Sequence, residues 1–283
     1  IFDAQIIRKV IVSFHSNMKL KSKYSVLSLS GGLDSTSLLV HLLNQNQIVH
    51  CVSFIYGQNH FLEVDKAKNN IAYISNNGLK DKLFHKIIDV TNIFDNYSSS
   101  LLEGNNSIPE GHYESETMKT TFVPNRNAIF CSIIYGYALS ISKRFNTNIT
   151  ISMGAHAGDH QIYPDCRIDF FKKLFDSFKL GNWESDKIDL YLPYIDFNKK
   201  NILLDAKKSI RKLSLDFNTI FRNTITSYNP DKKGFSSGKS GSDIERILAF
   251  NELGIKDPID YVNGWDSVLR NALKVNKDFK KKL

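Results

Sequence analysis

Short apolar runs alternate along the chain with longer stretches in which apolar residues recur at helical spacing. The runs predicted to be strands cover residues 24–29, 48–54, 83–90, 148–154 and 188–192. The stretches predicted to be helices cover residues 3–17, 34–44, about 62–76, 127–144, 169–179 and 199–212. This alternation implies right-handed crossovers, and it predicts an α/β fold built on a doubly wound parallel sheet. A ligand of such a sheet binds beyond the carboxyl ends of the strands.

Two segments interrupt the alternation. Residues 95–120 are rich in Ser, Asn, Glu and Gly, and they are predicted to form a mobile loop or lid. From about residue 217 to 263 the composition turns to Gly, Ser, Asn and Asp, which predicts a small irregular C-terminal appendage. We therefore expect a helical extension at residues 1–22, a main domain at 23–216 and the appendage at 217–283.

Composition and charge narrow the class of protein. Hydrophobic residues make up 42% and charged residues 23% of the 283-residue chain, as in soluble globular proteins. The net charge of +8 comes from lysine-rich patches, which indicate either a solvated surface or attraction to anionic ligands. Because no basic motif is interleaved with aromatic residues, nucleic-acid binding is not expected.

The chain carries no pattern typical of a membrane or secreted protein. No apolar run approaches the roughly 20 residues that span a bilayer. Arg8, Lys9 and His15 interrupt the apolar positions near the N-terminus, unlike the pattern of a signal peptide. Three cysteines are too few for a disulfide framework and suit a reducing compartment. We therefore expect a cytoplasmic protein.

The first predicted strand leads directly into the string SGGLDST at residues 30–36. Its Gly-Gly turn has no β-carbons, so backbone N–H groups at the start of the next helix can point at an anion. Ser30, Ser35 and Thr36 add hydroxyl donors, and Asp34 suits a divalent cation, such as Mg²⁺, that also binds phosphate oxygens. The alternative is a plain βα turn with capping residues. The full string after a strand favours phosphate binding.

Three further motifs carry candidate binding groups. Tyr56-Gly57-Gln58-x-His60 ends the second predicted strand with an aromatic ring, an amide and an imidazole, which can read a nucleobase or simply cap a turn. Val-Pro-Asn-Arg-Asn and Tyr-Pro-Asp-Cys-Arg place Arg126 and Arg167 at helix starts, where the helix dipole disfavours a cation. Each arginine therefore either faces an anion or pairs with a local acid.

The loop resembles the pyrophosphate-binding loop of the ATP pyrophosphatase (PP-loop) superfamily. The four motifs in this order, followed by Asn198-Lys199 and Glu245-Arg246-x-x-Ala249-Phe250, closely resemble the 7-cyano-7-deazaguanine synthase family over about residues 23–262. This resemblance implies a PP-loop nucleotide-binding domain at residues 23–216, usually in a homodimer. It also implies an ATP-dependent C–N ligase that adenylates the carboxylate of 7-carboxy-7-deazaguanine. Ammonia displaces AMP, and a second activation dehydrates the amide to a nitrile on the queuosine route.

The resemblance also implies the site residues. Matching positions are Ser30, Gly31, Gly32, Asp34 and Ser35 in the loop, Lys199, and Tyr56, Gln58, His60, Arg126, Asn127, Asp165 and Arg167 lining the pocket. Asp34, Lys199 and Arg126 are the expected catalytic residues, with Lys199 neutralising charge on the leaving phosphates. An arginine could bind the substrate carboxylate, and Asp165 could accept the N1–H and amino hydrogens of the deazaguanine. Cys166 has no identifiable base partner and is interpreted as a pocket or core thiol.

The chain departs from the family at its zinc site. Aligned on Glu245-Arg246, the four cysteine positions hold Ser227, Ser237, Ser240 and Asp243. Neutral hydroxyls are poor zinc ligands beside the thiolates of a structural site, so zinc is expected to be absent. Either a natural lineage lost the metal or the cysteines were replaced by engineering.

Three functions stay open. The first is synthesis of the nitrile with ammonia. The second follows from similar proteins of antiphage defence operons, in which the activated deazaguanine is transferred to an amine of a partner protein. The third is a nucleotide-binding scaffold without activity, which the altered zinc positions favour and the intact loop, Lys199 and pocket motifs oppose.

Overall fold

The computed structural model describes residues 22–58, 62–102, 109–113, 115–227, 230–231 and 233–281. Five strands form one parallel sheet at its centre. They are β1 (Tyr24–Ser28), β2 (Ile48–Ile55), β3 (Leu83–Asp89), β4 (Ile149–Ser152) and β5 (Ile188–Tyr191). Every strand ends within two residues of its predicted bounds. Short runs of apolar and β-branched residues mark β1, β2 and β4, which are buried along most of their length, and the edge strand β3 keeps such a run although it is largely exposed.

Eight α-helices accompany the sheet in the described part of the chain. They are α1 (Leu33–Asn44), α2 (Leu62–Ile74), α3 (Arg126–Phe145), α4 (Ile168–Gly181), α5 (Lys199–Lys212), α6 (Phe217–Arg222), α7 (Gly241–Glu252) and α8 (Trp265–Lys280). The first five confirm predicted helices to within two residues. The predicted helix at residues 3–17 lies outside the described residues. None of the described helices combines the length and the apolar character that a membrane span requires.

Two apolar cores cover the two faces of the sheet. On β1, Leu27 belongs to the core completed by α1, α2 and α5, and its neighbour Val26 belongs to the core completed by α3 and α4. Successive side chains of a strand point to opposite faces, so this division places helices on both sides. The doubly wound α/β fold is therefore confirmed.

The strand order reverses beside β1. The order across the sheet is β3-β2-β1-β4-β5, so β1 pairs with β2 on one side and with β4 on the other. A crevice opens beyond the carboxyl ends of strands at such a switch point. The turns that follow β1 and β4 meet there, and they contain the SGGLDST string and the start of the 154–167 segment.

The C-terminal segment is more regular than its composition predicts. Three helices, α6 to α8, occupy much of residues 217–281, and irregular chain is confined to the stretches between them. Asp216 Oδ1 accepts a hydrogen bond from the Thr219 N–H at 2.7 Å, and Ser240 Oγ accepts one from the Asp243 N–H at 3.2 Å. Ser240, one of the residues whose composition suggested irregular chain, is therefore a helix cap.

Apolar side chains of α6 and α7 join the core on the α1 face of the sheet. Ile220 and Phe221 from α6 and Ala249 and Phe250 from α7 are all buried there. The core thus continues across the expected boundary at residue 217, and the division of the chain into three parts stays a prediction.

Part of the segment at residues 95–120 is described. Leu102 forms a bridge with Gln58, and Glu116–Thr121 forms a 3₁₀-helix. Residues 103–108 and 114 lie outside the described residues. The motion of this segment as a lid stays a prediction.

A fully buried ion pair fastens the C-terminal segment internally. Arg246 on α7 donates to both carboxylate oxygens of Asp257, at 2.6 and 2.9 Å, and neither side chain is exposed. Arg246 also donates to the hydroxyls of Thr224 and Thr226 at 2.8 and 2.9 Å, and Tyr261 donates to Asp257 at 2.8 Å. These partners compensate for the desolvation of both charges.

Removing the arginine of this pair is expected to destabilise the fold. Arg246→Met leaves the Asp257 carboxylate buried without a counter-charge, which costs about 3–5 kcal/mol of unfolding free energy. Urea denaturation followed by circular dichroism measures the loss. Lys200→Met, which breaks the exposed pair with Glu252 (3.6 Å), is the control and should cost at most about 1 kcal/mol. Equal effects of the two substitutions would contradict the importance of the buried pair.

Candidate active site

The turn after β1 has the backbone that an anion-binding loop needs. Gly31 has a φ of +89°, and a β-carbon there would lie 2.0 Å from the carbonyl oxygen of Glu63, so only glycine fits. Gly32 is the N-cap of α1, which directs the helix N-terminus at the turn. Ser35 Oγ accepts a hydrogen bond from the Ser30 N–H at 3.2 Å and lies 3.0 Å from Ser30 Oγ. Hydroxyls and the helix start therefore converge on one small region.

Two buried polar atoms beside this turn lack partners. In the described part of the chain, neither Asp34 Oδ1 nor Thr36 Oγ1 has a hydrogen-bond partner. Buried polar groups are usually paired, so an unpaired one needs an explanation, for example a ligand. Asp34 lines the crevice and suits a ligand there, whereas Thr36 is not among the side chains that line it. Both residues were expected to bind a ligand at the loop, but only the Asp34 side chain is in a position to contact a ligand in the crevice.

Lys199, the first residue of α5, is buried between two carboxylates. Its Nζ lies 3.2 Å from Asp34 Oδ2 on α1 and 3.0 Å from Glu245 Oε2 on α7. Burial lowers the pKa of Lys199, but the two carboxylates outweigh it and hold that pKa above its usual range. Burial likewise raises the pKa of Asp34, and Lys199 and His156 bring it below its usual value. The site therefore holds an ammonium against a carboxylate at the loop.

His156 and Asp159, which follow β4 in the chain, lie beside the Lys199–Asp34 pair. His156 Nδ1 accepts a hydrogen bond from the Gly158 N–H at 3.0 Å, and its Nε2 lies 3.5 Å from Asp159 Oδ1 and 3.8 Å from Asp34 Oδ2. Asp159 Oδ2 accepts from the His156 N–H at 3.2 Å, so each residue fixes the other. Local hydrogen bonds consequently hold His156 and Asp159 beside the Lys199–Asp34 pair.

A cleft of about 200 Å³ opens beside this group at the switch point. Gly154 lets the end of β4 approach α1, since a β-carbon there would lie 3.1 Å from the Ser35 nitrogen. The cleft is lined by Ser28, Ser30, Gly32, Asp34, Ser35, Tyr113, Arg126, Asn127, Met153, Gly154, Ala155, Asp159, Tyr163, Cys166 and Phe171. Phosphate-loop groups thus share one cavity with aromatic, amide and guanidinium groups.

The start of α3 forms the wall opposite the loop. Asn125 adopts a left-handed conformation with φ of 59° and begins α3 directly at Arg126. Arg126 Nη1 donates to the hydroxyl of Tyr56 at 3.2 Å, and its guanidinium carbon lies 5.4 Å from the Tyr56 ring centre. Asn127 donates to the Asp165 carbonyl at 3.3 Å and to Cys166 Sγ at 3.5 Å. These contacts connect the Val-Pro-Asn-Arg-Asn and Tyr-Pro-Asp-Cys-Arg motifs.

Burial sets the charge states of this wall. It raises the pKa of Asp165, against the opposing effect of Arg126, and it raises the pKa of Tyr56 to about 12. Burial and the carboxylates of Asp159 and Asp165 raise the pKa of the Cys166 thiol well above its usual range. The thiol is therefore not activated, which agrees with its interpretation as a pocket thiol.

Several residues expected in the pocket do not line the cleft. Gln58 accepts from the Tyr56 N–H at 2.8 Å and donates to the Phe54 carbonyl at 3.3 Å, so its amide is used within its own turn. Arg167 is exposed and donates to the His160 carbonyl at 3.0 Å. Tyr56 and Asp165 are buried behind the lining residues, and His60 lies outside the described residues.

Other residues at the site carry no role in the sequence reasoning. His156, Asp159, Tyr113 and Glu245 surround Lys199 or line the cleft. His156 and Asp159 follow a predicted strand, which is the signal that could have found them. Glu245 belongs to a family motif but sits on a helix predicted as irregular chain, and Tyr113 lies in the predicted loop.

The four positions aligned with zinc ligands converge in the structure. Asp243 is fully buried, and its Oδ2 accepts hydrogen bonds from Ser227 Oγ at 3.1 Å and Ser237 Oγ at 3.3 Å. Its Oδ1 accepts from Ser236 Oγ at 2.6 Å, and its N–H donates to Ser240 Oγ at 3.2 Å. We call these five residues the Asp243–serine cluster. It ties residue 227 and the 236–240 turn to the start of α7.

This donor set does not fit zinc. It offers one carboxylate, already bound by three hydroxyls, where a structural site uses thiolates or imidazoles. Among the described residues, no group of three or more His, Cys, Asp and Glu side chains is arranged to hold a metal ion. The Asp243–serine cluster therefore occupies the position at which the 7-cyano-7-deazaguanine synthase family is expected to bind zinc.

The fold and the loop define the class of protein. A doubly wound parallel sheet, with the SGGLDS string opening the helix after its central strand, is the architecture of the PP-loop class of nucleotide-binding proteins. The model of the family described as "Queuosine biosynthesis protein QueC" matches residues 24–254, and the chain belongs to this family.

Curated relatives support the same assignment. A 7-cyano-7-deazaguanine synthase of Caldicellulosiruptor saccharolyticus is 38% identical over 237 residues, 84% of this chain and 95% of the relative. The 7-cyano-7-deazaguanine synthase 1 of Colwellia psychrerythraea is 39% identical, over 83% of this chain and 97% of its own. Among solved structures, the chain is similar to the NH3-dependent NAD synthetase of Campylobacter jejuni. The alignment covers 98% of this chain and 95% of the synthetase, with 17% identity and a TM-score of 0.37. Because this likeness is weak, the class assignment rests on the sheet topology and the loop described above.

Purified protein is expected to contain less than about 0.1 zinc per chain, because hydroxyls do not replace thiolates as zinc ligands. Elemental analysis by mass spectrometry after dialysis without chelator measures the content. A full equivalent of zinc would contradict the assignment of Ser227, Ser237, Ser240 and Asp243 to the ligand positions.

Asp243→Asn is expected to gain stability relative to the natural chain as pH rises from about 4 to 7. Burial raises the pKa of Asp243 in the folded protein, so the carboxyl stabilises the fold most below its unfolded pKa and loses this contribution as pH rises through the folded pKa. The amide keeps the size and cannot ionise. Urea denaturation at several pH values measures the trend, with the exposed Asp266→Asn as control. Parallel pH profiles of the natural chain and Asp243→Asn would contradict it.

Proposed function

We propose that the protein uses ATP to activate the carboxylate of 7-carboxy-7-deazaguanine for attack by an amine. A substrate carboxylate oxygen attacks the α-phosphorus, the bond from that phosphorus to the bridging oxygen breaks, and pyrophosphate leaves. The amine nitrogen then attacks the acyl carbon, AMP leaves with the carboxylate oxygen, and the nitrogen loses a proton. Support comes mainly from one observation, the Lys199 ammonium held 3.2 Å from Asp34 at the loop in a chain of this family.

The loop and Lys199 are proposed to act on the phosphates. N–H and hydroxyl groups of residues 30–35 bind the leaving pyrophosphate, and Lys199 offsets the negative charge that grows on it. Asp34 is the residue suited to hold Mg²⁺, because Oδ1 has no other partner in the described chain. Bound Mg²⁺ would supply positive charge to the phosphate oxygens.

The opposite wall of the cleft is proposed to bind the deazaguanine. Arg126 and Asn127 line the cleft and suit the substrate carboxylate and ring edge. Asp165, buried behind Cys166, stays the proposed acceptor for the N1–H and amino group, and Tyr56 positions Arg126. Gln58 and Arg167 do not line the cleft, His60 lies outside the described residues, and the pocket roles of all three stay predictions.

The first experiment combines protein, ATP, Mg²⁺ and 7-carboxy-7-deazaguanine with ammonia, and separately with proteins encoded beside this one. Products are read by mass spectrometry. AMP together with a nitrile is the expected result with ammonia, because a second ATP activates the amide oxygen, which then leaves with AMP as the amide nitrogen loses its two protons. A deazaguanine-sized adduct on a neighbouring protein, with little nitrile, would instead indicate the alternative function, in which the activated deazaguanine is transferred to an amine of a partner protein. Absence of AMP in both mixtures would overturn the proposal and favour a scaffold. Light scattering tests the proposed homodimer.

Asp34→Ala is expected to abolish pyrophosphate release, because the nucleotide loses the carboxylate that would anchor its cation. Malachite-green detection after pyrophosphatase treatment measures the release. Retained release would argue against the assignment of Asp34.

Lys199→Ala is expected to lower turnover by about 10²–10³-fold while changing deazaguanine binding little, because its charge acts on the leaving group. Steady-state kinetics and calorimetric titration measure the two effects. Lys200→Ala, which removes the exposed neighbouring lysine, is the matched control and should keep turnover. Equal loss of turnover and binding at residue 199 would indicate a folding role.

A further inference from the structure

The N-terminal half of α7 carries three charged side chains with three different partners. Asp243 is bound by the serine hydroxyls of its cluster, and Arg246 is paired with Asp257. Glu245, between them, points instead to Lys199 in the active site, with Oε2 at 3.0 Å from Nζ. Asp243 and Arg246 hold α7 on either side of Glu245, so Glu245 is presented by an anchored helix.

Glu245 lies against the turn that follows β4. A β-carbon on Gly158 would lie 2.7 Å from Glu245 Oε1, and His156 Nε2 lies 3.9 Å from Oε2. The Glu245 side chain is 21% exposed, whereas that of Lys199 is 4% exposed. The pair therefore lies at the border of the active site, where α7 presents a carboxylate to an ammonium that α5 carries on a long and flexible side chain.

A second cavity borders the Lys199–Glu245 pair. This cavity, of about 190 Å³, is lined by both members of the pair and by Lys200 and Glu252. The Lys199 ammonium therefore has space to swing away from the phosphate loop when it loses a carboxylate partner. Asp34 alone does not prevent the swing once its carboxylate is engaged with a nucleotide and its cation, because it can no longer serve Lys199 fully.

We propose that Glu245 is a positioning residue that keeps the Lys199 ammonium at the phosphate loop during activation of the substrate. This inference rests on the proposed function and deepens it. Glu245 touches no reacting atom. It acts through Lys199, and it couples the C-terminal segment, held by the Asp243–serine cluster, to the chemistry at α1.

The test compares two glutamates of the same helix. Glu245→Gln keeps the shape and removes the charge. Glu252→Gln makes the same change two turns further along α7, where the glutamate pairs with Lys200 at 3.6 Å and lines the same second cavity. Glu245→Gln is expected to lower kcat by about 10–100-fold with little change in KM for the deazaguanine, because a displaced catalytic group loses rate rather than affinity. Glu252→Gln should keep both within about twofold.

A second readout needs no turnover. Reductive methylation with formaldehyde at one fixed pH, followed by peptide mass spectrometry, measures the reactivity of the Lys199 amine. It should rise several-fold in Glu245→Gln and stay unchanged in Glu252→Gln. Should Glu245→Gln fail to fold by its thermal transition, Glu245→Asp, which draws the charge back by one methylene, replaces it with the same expected direction.

The outcomes separate the two proposals. If the natural protein releases no AMP, the proposed function fails, and Lys199 reactivity alone decides the role of Glu245. If the natural protein is active but Glu245→Gln keeps its kcat and its Lys199 reactivity, the positioning role is overturned. A lower melting temperature with unchanged kcat would likewise reduce Glu245 to a structural residue.

Discussion

The ammonium of Lys199 between the carboxylates of Asp34 and Glu245 is the contact on which the arrangement of the site depends. It joins α1, α5 and α7, which come from distant parts of the chain, at the carboxyl edge of the sheet. A buried charge is tolerated only with partners, so these three side chains stabilise one another or destabilise the fold together. The phosphate loop, the lysine and the C-terminal segment therefore form one unit.

That unit needs a rigid C-terminal segment, and the chain achieves it without thiolates. A structural zinc contributes roughly 10–16 kcal/mol of folding free energy in small domains. A hydrogen bond to a charged group contributes only about 1.5–3 kcal/mol. The three hydroxyls on Asp243 cannot match a metal, so other contacts must contribute. Burial of Ile220, Phe221, Ala249 and Phe250 in the main core supplies them, together with the Arg246–Asp257 pair.

How much the sequence predicts depends on the kind of signal. Strands and helices of the main domain follow from apolar periodicity, which burial imposes directly, and they were predicted to within two residues. The Gly-Gly turn is equally readable, because the backbone at Gly31 excludes every side chain. The roles of Gln58 and Glu245 cannot be predicted from the sequence. Gln58 uses its amide within its own turn, and Glu245 pairs with a lysine of another helix, but in the sequence each is only a single polar residue. Ser240 shows the opposite error, because a serine in such a stretch predicts irregular chain whereas the structure makes it the N-cap of α7.

The same charges explain how nucleotide binding couples to the cation. Without a ligand, the anion site at the loop is neutralised internally, since Lys199 already lies against Asp34. A phosphate arriving alone must compete with that carboxylate and would add a third negative group to Asp34 and Glu245 around one ammonium. A phosphate arriving with a divalent cation gives the carboxylate a new partner, and Lys199 is then available to the phosphate. Glu245 keeps the lysine in place through this exchange. The loop should therefore bind the nucleotide and its cation together more strongly than the nucleotide alone, and Glu245, the second carboxylate beside Lys199, makes that preference possible.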